Sequence, residues 1–196
     1  MLIPQSQIKD TPVMSLHTGA RAGRIDSPLI DPRDLRVVAY QIKDSPGKQA
    51  PTFLMMSDVR EISSLGMIID DADDLVEVGD VIKLDELYEL KFYLIGKPVI
   101  EEQGKKIGKI EEYSLDTNTF MIHKLHVKQG LLKSLNGVIS LIDRSQIVEV
   151  NDHAVIVKTT AERKYAEVER VSPAQANYAN PFRKPVNSSQ PEAVQN

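Results

Sequence analysis

The feature that most constrains this 196-residue chain is a repeat. The stretch "TPVMSLHTGARAGRIDSPLIDPRDLRVVAYQIK" (Thr11–Lys43) lies over "KPVIEEQGKKIGKIEEYSLDTNTFMIHKLHVK" (Lys97–Lys128). Pro12-Val13 meets Pro98-Val99, and with a one-residue gap Gly19 and Gly23 meet Gly104 and Gly108. Arg24-Ile25 then meets Lys109-Ile110, Asp31 meets Asp116, and Lys43 meets Lys128. After a three-residue insertion, "DVREISSLGMIID" falls on "QIVEVNDHAVIVK", so that Met67-Ile68-Ile69 meets Val155-Ile156-Val157. Periodic self-similarity of this kind marks one supersecondary unit built more than once. Each unit spans about 75 residues, too few for a large core, which favours closure or docking against its twin.

Within each unit the signals are those of strands. "RVVAYQI" and "FMIHKLHV" are β-branched and aromatic runs that follow the turn clusters "DPRD" and "DTN". "FLMMSDVREI", "GMIID", "GVISLIDRSQIVEV" and "AVIVK" add further short runs between turn residues. Many short strands predict a mainly all-β chain of two small, closed or nearly closed antiparallel barrels. In "LDELYELKF", Leu84, Leu87, Tyr88 and Lys91 recur at a helical period, predicting a short helix with Asp80 or Asp85 at its start. The expected domains are residues 1–83, a connecting helix 84–92, and residues 93–170. Residues 171–196, rich in Pro, Asn, Gln, Ser and Ala, read as a disordered tail.

Composition narrows the function classes. Cysteine is absent, which removes disulfides, thiolate metal sites and thiol nucleophiles. No apolar run reaches the roughly 20 residues needed to span a bilayer, and "MLIPQSQIKD" is not a signal peptide, so a cytoplasmic protein is expected. The net charge of −4 divides into −7 over residues 1–90, +2 over 91–170 and +1 in the tail. The first half should repel nucleic acid, and neither half has a strongly basic balance.

"GKKIGKI" (Gly104–Ile110) looks like part of a phosphate loop, but its glycines stand one residue too close and Ile110 occupies the hydroxyl position. "GARAGRI" (Gly19–Ile25) fails in the same way, so the glycines are expected to serve a turn and a strand entry. His123 and His126 are three apart on a strand, hence on opposite faces, with His123 a hydrogen-bonded core residue and His126 exposed. "DDADD" (Asp70–Asp74) lacks the glycine and final glutamate of a calcium loop, and no metal site is expected. No serine has a nucleophile-elbow context and no acid/base pair stands out, so no catalytic residue and no cofactor site is assigned. Two contact regions remain. Lys105, Lys106 and Lys109 surround the turn, and alternation sets Lys124, His126 and Lys128 on one strand face, a candidate RNA or partner patch. In the tail, "YANPFRKP" gathers Tyr178, Phe182, Arg183 and Lys184 as a candidate linear motif.

The order "PV…G…G[KR]I…D" into a β-branched strand, then "DVREI" or "QIVEV" and a closing "GMIID" or "AVIVK", resembles the PRC-barrel family. That family is named for the cytoplasmic domain of the photosynthetic reaction-centre H subunit, and a bacterial ribosome-maturation factor carries the same domain at its C-terminus. "DPRDLRVVAYQIK" and "GKKIGKI" carry most of the resemblance, which covers residues 1–78 and 87–165. It implies two tandem PRC-like barrels acting as a docking module without catalytic residues or a bound cofactor. The pattern fills both halves, where the maturation factor has a different N-terminal domain; photosynthesis is not expected without a membrane helix. The expectation is therefore a non-catalytic cytoplasmic adaptor for a protein partner, with RNA or ribosome association through the second barrel's lysines as the alternative.

Overall fold

The computed structural model describes residues 1–47, 50–63, 66–129 and 139–159. Residues 171–196, and with them the tail motif, lie outside the described residues. The first half runs β1 (Leu2–Pro4), the one-turn α1 (Gln5–Ile8), β2 (Pro12–Ser15), β3 (Arg21–Asp31), β4 (Arg36–Lys43) and β5 (Thr52–Met55). It continues with β6 (Val59–Ser63), β7 (Gly66–Ile69), β8 (Val76–Glu77) and α2 (Ile82–Glu89). The second half supplies β9 (Pro98–Glu101), β10 (Lys106–Asp116), β11 (Ile122–Lys128), β12 (Ile139–Asp143), β13 (Ile147–Val150) and β14 (Val155–Val157).

Among the described residues these strands form two seven-stranded sheets. One has the order β6-β7-β2-β3-β4-β5-β8, the other β13-β14-β9-β10-β11-β12 with β1 added on β10. Strand for strand, the two paths run in the same order, and the registers agree residue for residue with the sequence repeat. Val13 lies opposite Met67 and Gly23, as Val99 lies opposite Val155 and Gly108. Arg24 pairs with Lys43, as Lys109 pairs with Lys128.

One expectation is corrected: neither sheet is wholly antiparallel, because β2–β7 and β9–β14 are parallel ladders. The hairpins β6–β7 and β13–β14 return their last strand alongside the first, and the long connection that a parallel pair needs is the rest of the unit. Nor do the described ladders join the two ends of either path into a closed ring.

The halves also share structure across the repeat. Leu35 and Phe120, matched positions, both take left-handed backbone at φ 48° and 58°. Their carbonyls accept reciprocally: Ile122 N–H donates to Leu35 O at 2.9 Å and Val37 N–H to Phe120 O at 3.0 Å. One apolar core runs through both sheets, from Val13, Ile25, Tyr40 and Ile69 to Val99, Ile110, Tyr113 and Leu125. The N-terminal strand crosses over, setting Ile3 opposite Leu115, and the buried Gln5 accepts the Tyr40 hydroxyl at 2.6 Å. The described residues from Met1 to Thr159 accordingly belong to one compact unit. A 75-residue half that buries too little alone gains by sharing its core with its twin.

A smaller apolar cluster lies on the outer face of the first sheet, where Leu84 and Tyr88 of α2 cover Ala39, Phe53, Leu29 and Met55. Phe53 and Tyr88 meet edge to face at 5.4 Å. Leu84, Leu87 and Tyr88 form the expected stripe, but the helix runs Ile82–Glu89 and not 84–92, so that Lys91 lies beyond it in left-handed backbone at φ 48°. The caps differ as well: Val81 is the N-cap and makes no side-chain cap bond. Asp80 accepts from Glu77 N–H and Asp85 from Gly79 N–H, so both carboxylates fasten the turn before the helix instead.

Candidate functional site

The hairpin of "GKKIGKI" joins β9 to β10, and its two glycines do different jobs. Gly104 sits in the turn at φ 84°, and its N–H donates to Glu101 O at 2.8 Å. Glu101 N–H donates back to Lys105 O at 2.9 Å. These amides are committed to the turn, whereas a phosphate cradle needs them aimed outward. Gly108 has ordinary backbone, but a β-carbon there would run into the carbonyl of Lys128 on β11. In the matched hairpin Gly19 turns at φ 64° and a β-carbon on Gly23 would meet Ile42 and the Lys43 carbonyl. Turn and close approach account for both pairs.

The five lysines fall into two groups. Lys105 and Lys106 are exposed at the hairpin. Lys109 and Lys128 are register partners on the outer face of the second sheet, and Lys124 lies four residues back along β11 beside Ser114 and Asp143. Acids temper this second group, since Lys128 Nζ binds Glu111 at 2.7 Å in an exposed pair of the kind worth about 0–1 kcal/mol. The Asp143 carboxyl is held below the usual range, first by the Ser145 backbone amide and side chain, then by Lys124 and His123.

Neither histidine sits as expected, both being half-buried. His123 sits at a register shift in the β10–β11 ladder and is half-buried outside the core; its match Val38 occupies the corresponding shift in β3–β4. Strict alternation from the buried Tyr40 and Ile42 would place Val38 in the core, but the bulge brings Val37 in instead. His126 is the hydrogen-bonded one, with Nε2 3.2 Å from Ser114 Oγ.

Local bonding occupies the acidic run. Asp70 is gripped by Arg60 at 2.7 Å and 2.8 Å, and Asp71 and Asp74 form a reciprocal cap around the 3-10 turn Ala72–Asp74. Among the described residues no group of three or more His, Asp or Glu is placed to hold a metal ion. A cleft of about 240 Å³ opens beside β2 and β3, between Arg21, Ser45 and Asp73. A smaller one of about 90 Å³ lies against α2 and the aromatics Tyr88, Phe92 and Tyr93. Lys97 Nζ stands 4.8 Å above the Phe92 ring, a contact that periodicity gave no reason to expect. No described helix is long and apolar enough to cross a membrane.

No curated protein matches the chain. The run from just before β9 through β14, with its hairpin glycines, its lysine face and its parallel closing strand, is the part that known families recognise: residues 93–164 match the model of the PRC-barrel domain.

Proposed function

We propose that the chain is a non-catalytic docking protein made of two PRC-like barrels, the first half being a second copy of the unit that the family model matches. The observation that carries this reading is the shared strand order, in which β2–β7 repeat the pairings of β9–β14 down to the positions of both glycines. Two copies fused through a common core make one compact body. Such a body suits holding a protein partner in the cytoplasm, and the surface lysines, the clefts and the tail motif at Tyr178, Phe182, Arg183 and Lys184 supply contacts, with no catalytic role assigned to any residue. The test is a pull-down with chemical crosslinking, using the full-length chain and a chain lacking residues 171–196. A stable protein partner recovered with the full chain is the expected result, and recovery of none would overturn the reading.

A second reading, RNA or ribosome association, draws on the alignment of Lys109, Lys124 and Lys128 on one face near Lys105 and Lys106. Binding through phosphates would weaken steeply with salt. Changing Lys105, Lys106 and Lys109 together to glutamate should then abolish binding at low salt; unchanged affinity would remove this reading.

A further inference from the structure

The two sheets differ most at matched edges. In the first, β8 caps β5: Val76 pairs with Phe53, Glu77 pairs with Thr52, and Val78 N–H donates to Pro51 O at 3.2 Å. The strand matched to β5 is β12, because Leu54 opposes Tyr40 as Ile142 opposes Leu125 at the same step of the repeat. Phe53 therefore corresponds to Leu141 and Thr52 to Ser140. Among the described residues β12 ends its sheet with no strand beyond it. Its outward side chains are apolar and open to solvent, Ile139 at 48% and Leu141 at 51%. Edge strands are ordinarily guarded by charge, proline or a bulge, and β12 ("ISLID") has no proline and no register shift, its one charge being Asp143 at its end.

The outer face says what kind of occupant fits. Of the positions beneath α2 in the first sheet, Leu29, Ala39 and Met55 give way to Ser114, Lys124 and Asp143 in the second, and Phe53 alone keeps an apolar match, Leu141. A helix laid there would bury a cation and an anion at a loss. The edge strand keeps its apolar residue at Leu141 while the other three positions of the helix seat are polar. We propose that β12 docks an extended segment of a partner protein, added antiparallel to the edge left unpaired among the described residues, with β-branched apolar residues at alternate positions over Ile139 and Leu141. The segment on β5, "VEV" (Val76–Val78), is the pattern for that occupant, and it is a strand unlike the one it caps. Main-chain hydrogen bonds supply affinity in this mode and alternate side chains supply choice. The inference rests on the docking reading above and names its surface.

The probe is a synthetic blocked peptide of residues 74–80, the segment that caps β5, titrated into isotope-labelled full-length protein and followed by amide chemical shifts. At β5 the tethered segment outcompetes the free peptide through its effective concentration, which leaves β12 to be occupied. The expected result is saturable shifts confined to Ser140, Leu141, Ile142 and their neighbours on β11, lost in the double variant Ile139→Lys, Leu141→Lys. A folded-state spectrum of that variant, otherwise unchanged, shows that the loss is local. No saturable shift, or shifts on β4 and β5 instead, would overturn the inference. Sedimentation of the protein alone adds a second outcome: a dimer that the double variant abolishes would assign the edge to another copy of the chain and overturn the partner segment. A pull-down with both proteins separates the two readings. A partner held equally by the wild type and the variant keeps the docking function and overturns this surface. A wild type that holds no partner overturns the docking function, and the peptide titration then decides the edge by itself.

Discussion

Replacing Gly108 by alanine should destabilise the protein more than replacing Gly104, for a different physical reason. At Gly104 the obstacle is conformational: φ is 84°, and nothing lies within 4 Å of a β-carbon built there. Left-handed backbone costs an L-residue about 1–2 kcal/mol, partly offset by the smaller entropy of the unfolded alanine chain, which leaves about 1 kcal/mol. At Gly108 the obstacle is another strand. The added carbon meets the Lys128 carbonyl carbon at 2.8 Å and Val127 Cγ1 at 3.0 Å, and the carbonyl oxygen more closely still. Backbone cannot rotate away as a side chain can, so β10 and β11 must separate beside the register pair of Lys109 and Lys128. Overpacking of about 1–3 kcal/mol plus one or two weakened ladder bonds gives about 3 kcal/mol or more. In urea, with a slope near 2 kcal/mol/M, the midpoints should fall by about 0.5 M for Gly104→Ala and about 1.5 M for Gly108→Ala. Gly23→Ala should lie between them, because its nearest neighbour is the Ile42 side chain, which can move. Equal midpoints, or the reverse order, would refute the assignment of turn to one glycine and strand contact to the other.

The two buried tyrosines give an opposed pair. Tyr40→Phe leaves the buried Gln5 carbonyl oxygen without its donor and should cost about 1–3 kcal/mol. Tyr113→Phe should be neutral or stabilising, since that hydroxyl is buried without a partner among the described residues; thermal unfolding of both variants checks the contrast. Asp116 is held down to about 2, first by the Met1 ammonium, then by the amides of Thr119 and Asn118. A depressed carboxylate stabilises fully above its unfolded value near 3.8 and loses that contribution as pH falls towards about 2. Asp116→Asn should therefore be less stable than the parent at neutral pH and converge with it near pH 2; a constant gap across an acid titration would contradict the ion pair. Lys128→Ala should change stability by less than about 1 kcal/mol in a denaturant titration, because its partner Glu111 is exposed beside it.

The shared strand order of the two sheets was legible because the residues that align are ones backbone geometry requires. Glycines recur at two places after a Pro-Val, and Val13–Gly23 and Val99–Gly108 fall at the same register. The stripe of Leu84, Leu87 and Tyr88 was legible for the same reason, a period with one structural meaning. The histidines were misread because alternation assumes an unbroken ladder. Shifts at Val38 and His123 turn each strand by one residue, and nothing in "VVAY" or "IHKL" announces a bulge. The exchange of β1 onto the second sheet was also hidden: "LIP" is short, and its partner Leu115 lies over a hundred residues away in a half that otherwise reads as self-contained. Nor did the lysine face reveal its acids, since the pairing of Lys128 with Glu111 depends on register and not on spacing.

The claim at the centre of this account is that the molecule works by holding another protein. Crosslinking mass spectrometry on the full-length chain, purified at native abundance with and without ribonuclease, addresses it most directly. The account predicts one protein partner that survives both ribonuclease and high salt, with crosslinks from Lys124 and Lys128 beside β12. Recovery of RNA alone, lost on ribonuclease treatment, or of no partner at all, would contradict it.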